Sequence, residues 1–424
     1  MSDHEFGFKT RTLHAGGQPD SATGARAVPI YQSTSFVFED TADAADLFAL
    51  QKYGTIYSRI SNPTTAAFEE RMASLEGGIG AVATASGQAA AFLALTTLAG
   101  AGDHIVAASG VYGGSYTLLD TTMGRFGIES TFVPNTDSAA FEAAITPATK
   151  AIYTEIIGNP GGAVADLEAL SDVAHRNGIP LVVDSTFATP WLCRPIEFGA
   201  DIVIHSATKF IGGHGTSIGG VVVEAGTFDW SSGRFPRMTD PIPTYNGLQW
   251  YGNFGEYAYC MALRSEQLRD VGASLSPFNA FLLLQGLETL PLRMDEHVRN
   301  AQAVANWLND DPRVGWVAHA DLDDSPYRSL AAKYLPKGAG AIFTFGVKGG
   351  REAGQKFIEK LELISHLANV GDARSLVIHP ASTTHQQLSD EQLQAAGVGS
   401  DMVRLSVGLE DLEDIVWDLD QALG

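Results

Sequence analysis

The chain has 424 residues, of which 45% are hydrophobic and 18% charged, and its formal net charge is −22. This length allows two domains, and the composition excludes a disordered or fibrous protein. The negative charge argues against nucleic acid or an anionic membrane surface as a partner. The two cysteines, Cys193 and Cys260, form no metal-type cluster, and their sparsity is typical of a reducing compartment. We expect both to be buried structural thiols.

Targeting and metal-binding patterns are not found. Residues 1–5 lack the basic segment and apolar core of a secretion signal. No uninterrupted apolar run approaches the roughly 20 residues that a helix needs to span a bilayer. We therefore expect a cytoplasmic protein. No metal is expected either, because the histidines lack ligand spacing and are interpreted as structural, namely His205, His214, His297, His379 and His385.

The first 65 residues differ in character from the rest. They are rich in Gly, Thr, Ser and Pro and show no sustained period, so residues 1–65 are interpreted as an arm rather than a domain. From Thr65 onward, helical and strand patterns alternate, and Gly178 and Pro180 close one of the helices. We predict helices over residues 66–75, 88–98 and 165–176, and strands over residues 81–85, 104–108, 131–133, 151–156 and 220–224.

Two further apolar runs end in side chains that carry chemistry. Residues 179–186 are predicted to form a buried strand with Asp184 at its carboxyl end, and residues 201–205 lead towards Lys209. A lysine with buried flanks has a lowered pKa, so its neutral amine can attack an aldehyde. The pair suits pyridoxal phosphate, because the lysine can hold the aldehyde as a Schiff base while the aspartate keeps the pyridine nitrogen protonated.

Either residue alone also fits a simpler role, with Asp184 as a helix cap and Lys209 as a solvated loop residue. The hydroxyls of Ser206 and Thr208 favour the cofactor site, because they are well placed beside the lysine to donate to a phosphate. Apolar strands separated by helices predict an α/β fold with a mostly parallel sheet. Ligands of such sheets bind beyond the carboxyl ends of the strands, where Asp184 and Lys209 fall.

The chain changes character again after residue 225. A stretch rich in Trp, Gly and Pro continues to about Gly255. The patterns downstream predict a long helical region, two strands and a terminal helix, over residues 276–308, 341–347, 402–407 and 412–423. They indicate a smaller α+β domain. With a boundary near residue 265, the chain divides into the arm, a cofactor-binding large domain and a C-terminal small domain, over residues 1–65, 66–265 and 266–424.

Three ordered segments carry a resemblance to a known family. Residues 201–215 resemble the lysine signature of the Cys/Met-metabolism family of pyridoxal-phosphate enzymes, and residues 183–190 and 57–64 also match family segments. The resemblance extends over nearly the whole chain. It implies pyridoxal-phosphate fold type I, which is similar to aspartate aminotransferase, with a mostly parallel large domain and a smaller α+β domain.

The resemblance also implies a cofactor site. Lys209 would bind the cofactor aldehyde, Asp184 would face the pyridine nitrogen, and Asn159 would hydrogen-bond the ring hydroxyl. Tyr112 resembles the aromatic residue that stacks on the ring and is the third catalytic candidate, although such a residue can also be a loop anchor. Ser86-Gly87-Gln88 resembles the phosphate turn, since glycine lets the backbone approach and helix-start amides face the anion. Alone, that turn could merely connect a strand to a helix.

Tyr57 and Arg59 lie in the arm, apart from the lysine-bearing domain. In the family that the chain resembles, this Tyr-x-Arg pair reaches across a dimer interface to the neighbouring subunit's phosphate. Arginine suits that task because its planar fork of donors does not deprotonate. The resemblance therefore implies an obligate homodimer and favours a homotetramer, although the choice between dimer and tetramer stays open from the sequence. The alternative is an ordinary exposed arginine on a flexible arm.

Arg404 and Ser375 are the substrate-binding candidates. Arg404 lies in an alternating apolar pattern, where a positive charge needs a buried partner, and it resembles the arginine that binds the substrate α-carboxylate. A structural salt bridge to Glu410 or Asp411 is the alternative. Ser375 matches a substrate-contacting position of the family.

Position 374 helps to separate the reactions within the family. Cystathionine-handling and methionine-cleaving relatives usually have Glu there, whereas O-acetylhomoserine sulfhydrylases tend to have a basic residue, as Arg374 is here. Gly114 replaces the cysteine of the methionine γ-lyase pattern, and the aromatic insertion over residues 228–259 again resembles the O-acetylhomoserine enzymes. The resemblance implies a transferase that converts O-acetyl-L-homoserine and sulfide to L-homocysteine and acetate in methionine biosynthesis.

Other activities stay open from the sequence. A cystathionine γ-synthase or an O-succinylhomoserine sulfhydrylase would differ in nucleophile or acyl group. A C–S γ-lyase acting on methionine or cystathionine would release a 2-oxo acid and ammonia. A non-catalytic cofactor-binding protein would be expected to lack the lysine or the phosphate turn, and both are present.

Overall fold

The computed structural model describes residues 4–383 and 399–424. Seven strands form the larger sheet: β1 (Gly80–Thr84), β2 (His104–Ala108), β3 (Glu129–Val133), β4 (Thr149–Glu155), β5 (Leu181–Asp184), β6 (Ile202–Ser206) and β7 (Gly220–Glu224). Their order across the sheet is β1-β7-β6-β5-β4-β2-β3. Strands β2 to β6 pair in parallel, while β7 is antiparallel to both of its neighbours. The predicted mostly parallel sheet is thereby confirmed.

A smaller sheet occupies the C-terminal part of the chain. It contains β8 (Val314–Ala318), β9 (Ile342–Val347), β10 (Ser365–His366), β11 (Leu376–Ile378) and β12 (Met402–Ser406), in the order β10-β11-β12-β9-β8. Only β10 and β11 pair in parallel. The domain boundary near residue 265 stays a prediction, and that residue lies inside a helical run over residues 258–271.

Helices cover the large sheet and surround the small one. The α-helices are α1 (Phe8–His14), α2 (Thr41–Phe48), α3 (Pro63–Glu76), α4 (Gly87–Leu98), α5 (Gly113–Thr117), α6 (Ser138–Ala144), α7 (Leu167–Arg176), α8 (Thr189–Leu192), α9 (Pro236–Thr239), α10 (Trp250–Phe254), α11 (Ala258–Ala262), α12 (Arg269–Val271), α13 (Pro277–Glu288), α14 (Leu290–Asp310), α15 (Arg328–Tyr334), α16 (Gly350–Lys360) and α17 (Leu412–Leu423). Short 3-10 and π segments lie at Leu118–Thr122, Met123–Phe126, Pro195–Phe198, Pro243–Tyr245, Gly255–Tyr257, Leu263–Leu268 and Pro380–Ser382.

Two helical features differ from the sequence prediction. The arm, predicted to be irregular, contains α1 and α2, and Asp40 caps α2 by accepting the amides of Ala42 and Asp43. The long helical region predicted over residues 276–308 is present, but it is divided into two helices, α13 and α14. They meet at Thr289, because Pro291 lacks the amide that would continue the hydrogen-bond ladder.

Burial of the central strands explains their unbroken apolar sequences. Every residue of β2 and β7 is buried. Helices α3 and α4 both pack against β7, and α6 packs against β2. Parallel pairing then aligns the carboxyl ends of β4, β5 and β6 at one edge of the sheet. Within residues 4–383 and 399–424, no helix is long and apolar enough to cross a membrane.

The residues interpreted as structural are mostly buried. Cys193 and Cys260 are buried free thiols, and burial raises the pKa of each. His205 is fully buried and hydrogen-bonds Oε1 of Glu76 at 2.5 Å through Nε2. His385 lies outside the described residues. In the part of the chain that the structure describes, no group of three His, Cys, Asp or Glu side chains could hold a metal ion.

Glu224 is a buried carboxyl at the end of β7 that anchors the tryptophan-rich segment. Its Oε1 accepts Nε1–H of Trp230 at 3.3 Å, and its Oε2 accepts the amide of Cys260 at 2.8 Å. Burial raises the pKa of Glu224 from the usual 4.5 to about 7. The folded state therefore holds this proton more tightly than the unfolded state does.

We expect Glu224→Gln to flatten the dependence of stability on pH. With a folded-state pKa of about 7, the contribution of Glu224 is fully present below pH 4.5 and is lost as pH rises through about 7. A glutamine cannot ionise. The free energy of unfolding of Glu224→Gln, relative to that of wild type, should therefore increase between pH 5 and pH 8, by about 3 kcal/mol at most. Urea unfolding at both pH values measures this. Exposed Glu129→Gln is the control, and parallel pH curves for Glu224→Gln and wild type would contradict the assignment.

Candidate active site

A cavity of about 300 Å³ lies beyond the carboxyl ends of β4, β5 and β6, against the start of α4. It collects ten of the residues singled out in the sequence: Ser86, Gly87, Gln88, Tyr112, Asn159, Asp184, Ser206, Thr208, Lys209 and Arg404. Tyr57, Arg59 and Ser375 are not among its lining residues. The cavity is therefore built from side chains that are distant in sequence and meet only in the fold.

Lys209 follows β6 and points its amine into this cavity. Its Nζ donates to Oδ1 of Asn369 at 2.6 Å. Burial, with a smaller contribution from the charge of Arg404, lowers the pKa of Lys209 to about 8. About a tenth of the amine is then neutral at pH 7, far more than for an ordinary lysine. This is the state that attacks an aldehyde.

Asp184 ends β5 and is held by Thr186. One carboxylate oxygen accepts both the amide of Thr186 at 2.9 Å and its hydroxyl at 2.5 Å. Burial raises the pKa of Asp184, although these hydrogen bonds oppose the rise. Within the described chain, Asp184 has no Lys or Arg ion-pair partner. A buried carboxylate in this situation fits a ligand that brings its own positive charge, such as a pyridinium nitrogen.

The start of α4 forms an anion-binding turn. Ser86 caps the helix, and its Oγ accepts the amide of Ala89 at 3.1 Å. The amides of Gly87 and Gln88 occupy the first two helical positions, where no intrahelical acceptor exists. A Cβ at position 87 would overlap Ser206, so only glycine allows this approach. The turn thus fits a phosphate group.

The hydroxyls of Ser206 and Thr208, near Lys209 in sequence, differ in their surroundings. Thr208 Oγ1 donates to the carbonyl of Gly219 at 3.2 Å and accepts its amide at 3.1 Å. The Ser206 hydroxyl has no hydrogen-bond partner among the described residues, while its amide donates to Oγ1 of Thr186 at 2.8 Å. Ser206 is accordingly the freer donor for a phosphate, and Thr208 chiefly ties the lysine loop to Gly219.

Tyr112 precedes α5, and its ring is half exposed at the cavity. Its amide donates to Oε1 of Glu155 at 2.7 Å. A Cβ at position 114 would overlap the Tyr112 ring, so Gly114 makes room for it. The ring can thereby cover a flat ligand in the cavity.

Arg404 lies at the middle of β12, where burial lowers its pKa to about 10. Its Nη1 donates to Oδ1 of Asn159 at 3.1 Å. The alternative pairing with Glu410 is not formed, because Glu410 accepts the amide of Ser375 at 2.7 Å and its hydroxyl at 2.9 Å. Within the described residues, the Arg404 guanidinium therefore has no acidic partner and fits a substrate carboxylate.

Ser375 does not reach the cavity. Its hydroxyl donates to Glu410 and accepts the amide of Gly408 at 2.9 Å, which occupies the side chain in holding two loops together. Arg374, next to it, is exposed and pairs with Asp372 at 3.2 Å. Ser375 is therefore not among the lining residues of the cavity, and its substrate contact stays a prediction.

Tyr57 and Arg59 lie together in a separate groove of the arm. The Arg59 guanidinium sits over the Tyr57 ring, 5.5 Å from its centroid, and donates to the carbonyl of Arg269. This groove is lined by the arm and by residues around Arg269. Within one chain, the pair does not contribute to the lysine cavity.

Three cavity features were not predicted from the sequence. Asn369 accepts the lysine amine, Thr186 holds Asp184, and Glu155 lies beside Asp184 at the end of β4. Glu155 had a usable signal, since it is an acidic residue at the carboxyl end of a predicted strand, as Asp184 is. Asn369 had none, because its loop lies 160 residues from the lysine that it contacts.

Comparison with known proteins agrees with this chemistry. Residues 9–424 match the family model described as Cys/Met metabolism PLP-dependent enzyme. The chain is 52% identical to a homocysteine synthase from Schizosaccharomyces pombe, over 98% of both chains. It is 50% identical to an O-acetyl-L-homoserine sulfhydrylase from Leptospira meyeri, over 99% of this chain and 97% of the relative.

A solved structure shares the fold. It comes from Campylobacter jejuni, is assigned as an O-acetylhomoserine (thiol)-lyase and contains N′-pyridoxyl-lysine-5′-monophosphate. Its TM-score is 0.96 at 40% identity, with 99% of this chain and 100% of that chain covered. This chain thus has pyridoxal-phosphate fold type I. It belongs to the Cys/Met metabolism family of pyridoxal-phosphate-dependent enzymes.

Proposed function

We propose that this enzyme catalyses a γ-replacement, in which O-acetyl-L-homoserine and sulfide give L-homocysteine and acetate in methionine biosynthesis. The observation that carries the proposal is the single cavity in which the Lys209 amine, with a pKa of about 8, lies with Asp184 and the unpaired Arg404. The names of the relatives from S. pombe and L. meyeri support the same reaction.

Each residue of the cavity has a role that follows from its position. When bound, pyridoxal phosphate would supply an electron sink for the electron pairs left as the Cα and Cβ protons are removed. Lys209 would hold the cofactor aldehyde, and its amine would move the Cα proton as base and acid. Asp184 would keep the ring nitrogen protonated. The amides of Gly87 and Gln88 would hold the phosphate, together with the hydroxyls of Ser86 and Ser206, while Thr208 ties the lysine loop to Gly219.

Substrate orientation depends on Arg404 and Asn159. Arg404 would bind the α-carboxylate bidentately, which places Cα beside the Lys209 amine. Asn159, which accepts from Arg404, would also hydrogen-bond the cofactor's ring hydroxyl. Tyr112 would stack on the ring. Acetate then leaves from Cγ, and sulfide forms its new bond at the same carbon.

The charges of the cavity favour the acetyl ester over the succinyl ester. Lys209 and Arg404 are the only cationic side chains among its described lining residues, and both already have roles. A succinyl carboxylate would therefore find no further cation among these lining residues. Steady-state rates with O-acetyl- and O-succinylhomoserine, each with sulfide, test this. Faster turnover of the succinyl ester would contradict it, and 2-oxo acid release from methionine or cystathionine would favour the γ-lyase alternative.

The proposal extends to assembly. We infer that Tyr57 and Arg59 complete the phosphate site of a second copy, so that the dimer is the smallest active unit, and that dimers pair into a tetramer in the cytoplasm. Two features support the dimer: Arg59 lies outside its own chain's cavity, and the arm exposes the apolar side chains of Val37, Phe48 and Tyr53. The arm, large and small domains would then be residues 1–65, 66–265 and 266–424.

We expect Arg404→Ala to weaken substrate binding while leaving the bound cofactor's absorption unchanged. Removing a desolvated, charge-assisted contact costs about 2 to 5 kcal/mol, so the KM for O-acetylhomoserine should rise about 30-fold or more. Arg404→Lys keeps the charge but loses the planar set of donors, so its KM should lie between those of wild type and Arg404→Ala. The exposed Arg299→Ala is the control. An unaltered KM for Arg404→Ala would assign Arg404 a structural role.

A further inference from the structure

A second carboxyl lies beside Asp184 at the same edge of the sheet. Glu155 ends β4, and its Cα is the register partner of Asp184 on β5. The residue is only 5% exposed, and its side chain lines the cavity. Among the described residues, no lysine or arginine pairs with it. Two acidic groups thus share one end of the cavity without a cation between them.

Glu155 also holds the backbone of Tyr112. Its Oε1 accepts the Tyr112 amide at 2.7 Å, just before α5 begins. The ring packs over Gly114, whose carbonyl accepts Nε2–H of Gln88 at 3.0 Å. The Tyr112 backbone is therefore tied to the end of β4, and the turn of α5 beneath its ring is tied to the start of α4.

The protonation of Glu155 and Asp184 depends on the charged and polar groups around them. Burial and the negative charge of Asp184 raise the pKa of Glu155 well above its usual range, although the amides of Tyr112 and Asn159 favour the carboxylate. Tyr153 of β4 faces both carboxyls and is fully buried, which raises its own pKa, so it stays neutral. Lys209 and Arg404 line the same cavity. Keeping one carboxyl neutral avoids two adjacent buried charges.

We propose that Glu155 is a positioning residue whose buried carboxyl holds the Tyr112 amide and so sets the ring of Tyr112 over the cofactor. The neighbouring Asp184 would then face the cofactor's ring nitrogen. This inference rests on the proposed cofactor site at Lys209. It assigns Glu155 no contact with the reacting atoms, so its effect on the reaction passes through Tyr112.

The test compares Glu155→Gln with Glu155→Ala in the cofactor-loaded enzyme. Glutamine keeps an acceptor oxygen for the Tyr112 amide and cannot be charged, so the circular dichroism of the bound cofactor and kcat should stay within about twofold of wild type from pH 6 to pH 9. Alanine removes the acceptor, so the dichroism should change and kcat should fall about tenfold or more while cofactor content is retained. Exposed Glu129→Ala, on β3, is the control.

Two results would overturn the proposal. If Glu155→Gln is as impaired as Glu155→Ala, a charged carboxylate is needed. If Glu155→Ala matches wild type in dichroism and kcat, Glu155 does not position Tyr112. Should Glu155→Ala fail to fold, judged by thermal melting, the glutamine variant alone decides through its dichroism. A wild-type enzyme without sulfhydrylase activity would contradict the proposed reaction, while the dichroism comparison would still test Glu155.

Discussion

Lys209→Ala is expected to abolish sulfhydrylase activity and to remove the visible absorption of the lysine-bound cofactor. The amine lies in the cavity with a pKa of about 8, and in the proposed reaction it both holds the cofactor aldehyde and moves the Cα proton. Loss of the proton transfer alone should lower kcat by about 10²- to 10⁴-fold. Absorption spectra of the purified protein and initial rates with O-acetylhomoserine and sulfide measure the two effects.

Lys337→Ala is the matched control for this experiment. Lys337 is another lysine whose pKa is lowered mainly by burial, but it lies over the Trp191 ring, 3.7 Å from its centroid, and not at the cavity. Its replacement should leave the cofactor spectrum and kcat unchanged. If Lys209→Ala retains the spectrum of wild type, the cofactor is attached elsewhere and the assignment of Lys209 is wrong.

The parts of the site that could be predicted from the sequence are those fixed by local pattern. Asp184 ends and Lys209 follows a short apolar run of the kind that forms a buried strand, and the carboxyl ends of parallel strands meet at one edge. Ser86 and Gly87 were instead expected from the family resemblance, because a Ser-Gly turn alone could merely connect a strand to a helix. The structure brings all four to one cavity.

The rest depends on contacts between loops, which a local pattern does not encode. The hydroxyl of Thr208 is engaged by Gly219, and that of Ser375 by Glu410 and Gly408, so neither is free as the sequence analysis expected. Asn369 reaches Lys209 only because the small domain places its loop over the large one. The arm helices were missed because they are only seven and eight residues long, too short to show a sustained helical period.

Mixing Arg59→Ala with Lys209→Ala is expected to restore activity that neither variant has alone. If Arg59 completes the neighbouring subunit's site, each heterodimer holds one site with both residues intact and one with both defects. Activity should reach about half of the wild-type value per heterodimer, because a two-fold symmetric dimer has two equivalent sites. The subunits are dissociated, mixed and reassociated, and heterodimers carrying two different tags are isolated before the rates are measured.

A mixture of Lys209→Ala with Asp184→Ala is the control for this complementation. These two residues line the cavity of the same chain, so each site of that heterodimer keeps one defect and no activity should return. Recovery in the first mixture but not in the second would locate Arg59 at the partner's phosphate. Isolated Arg59/Lys209 heterodimers without activity would mean that the arm serves its own chain. The groove where Arg59 binds the carbonyl of Arg269 would then be its functional position, and the dimer would no longer be required by the site.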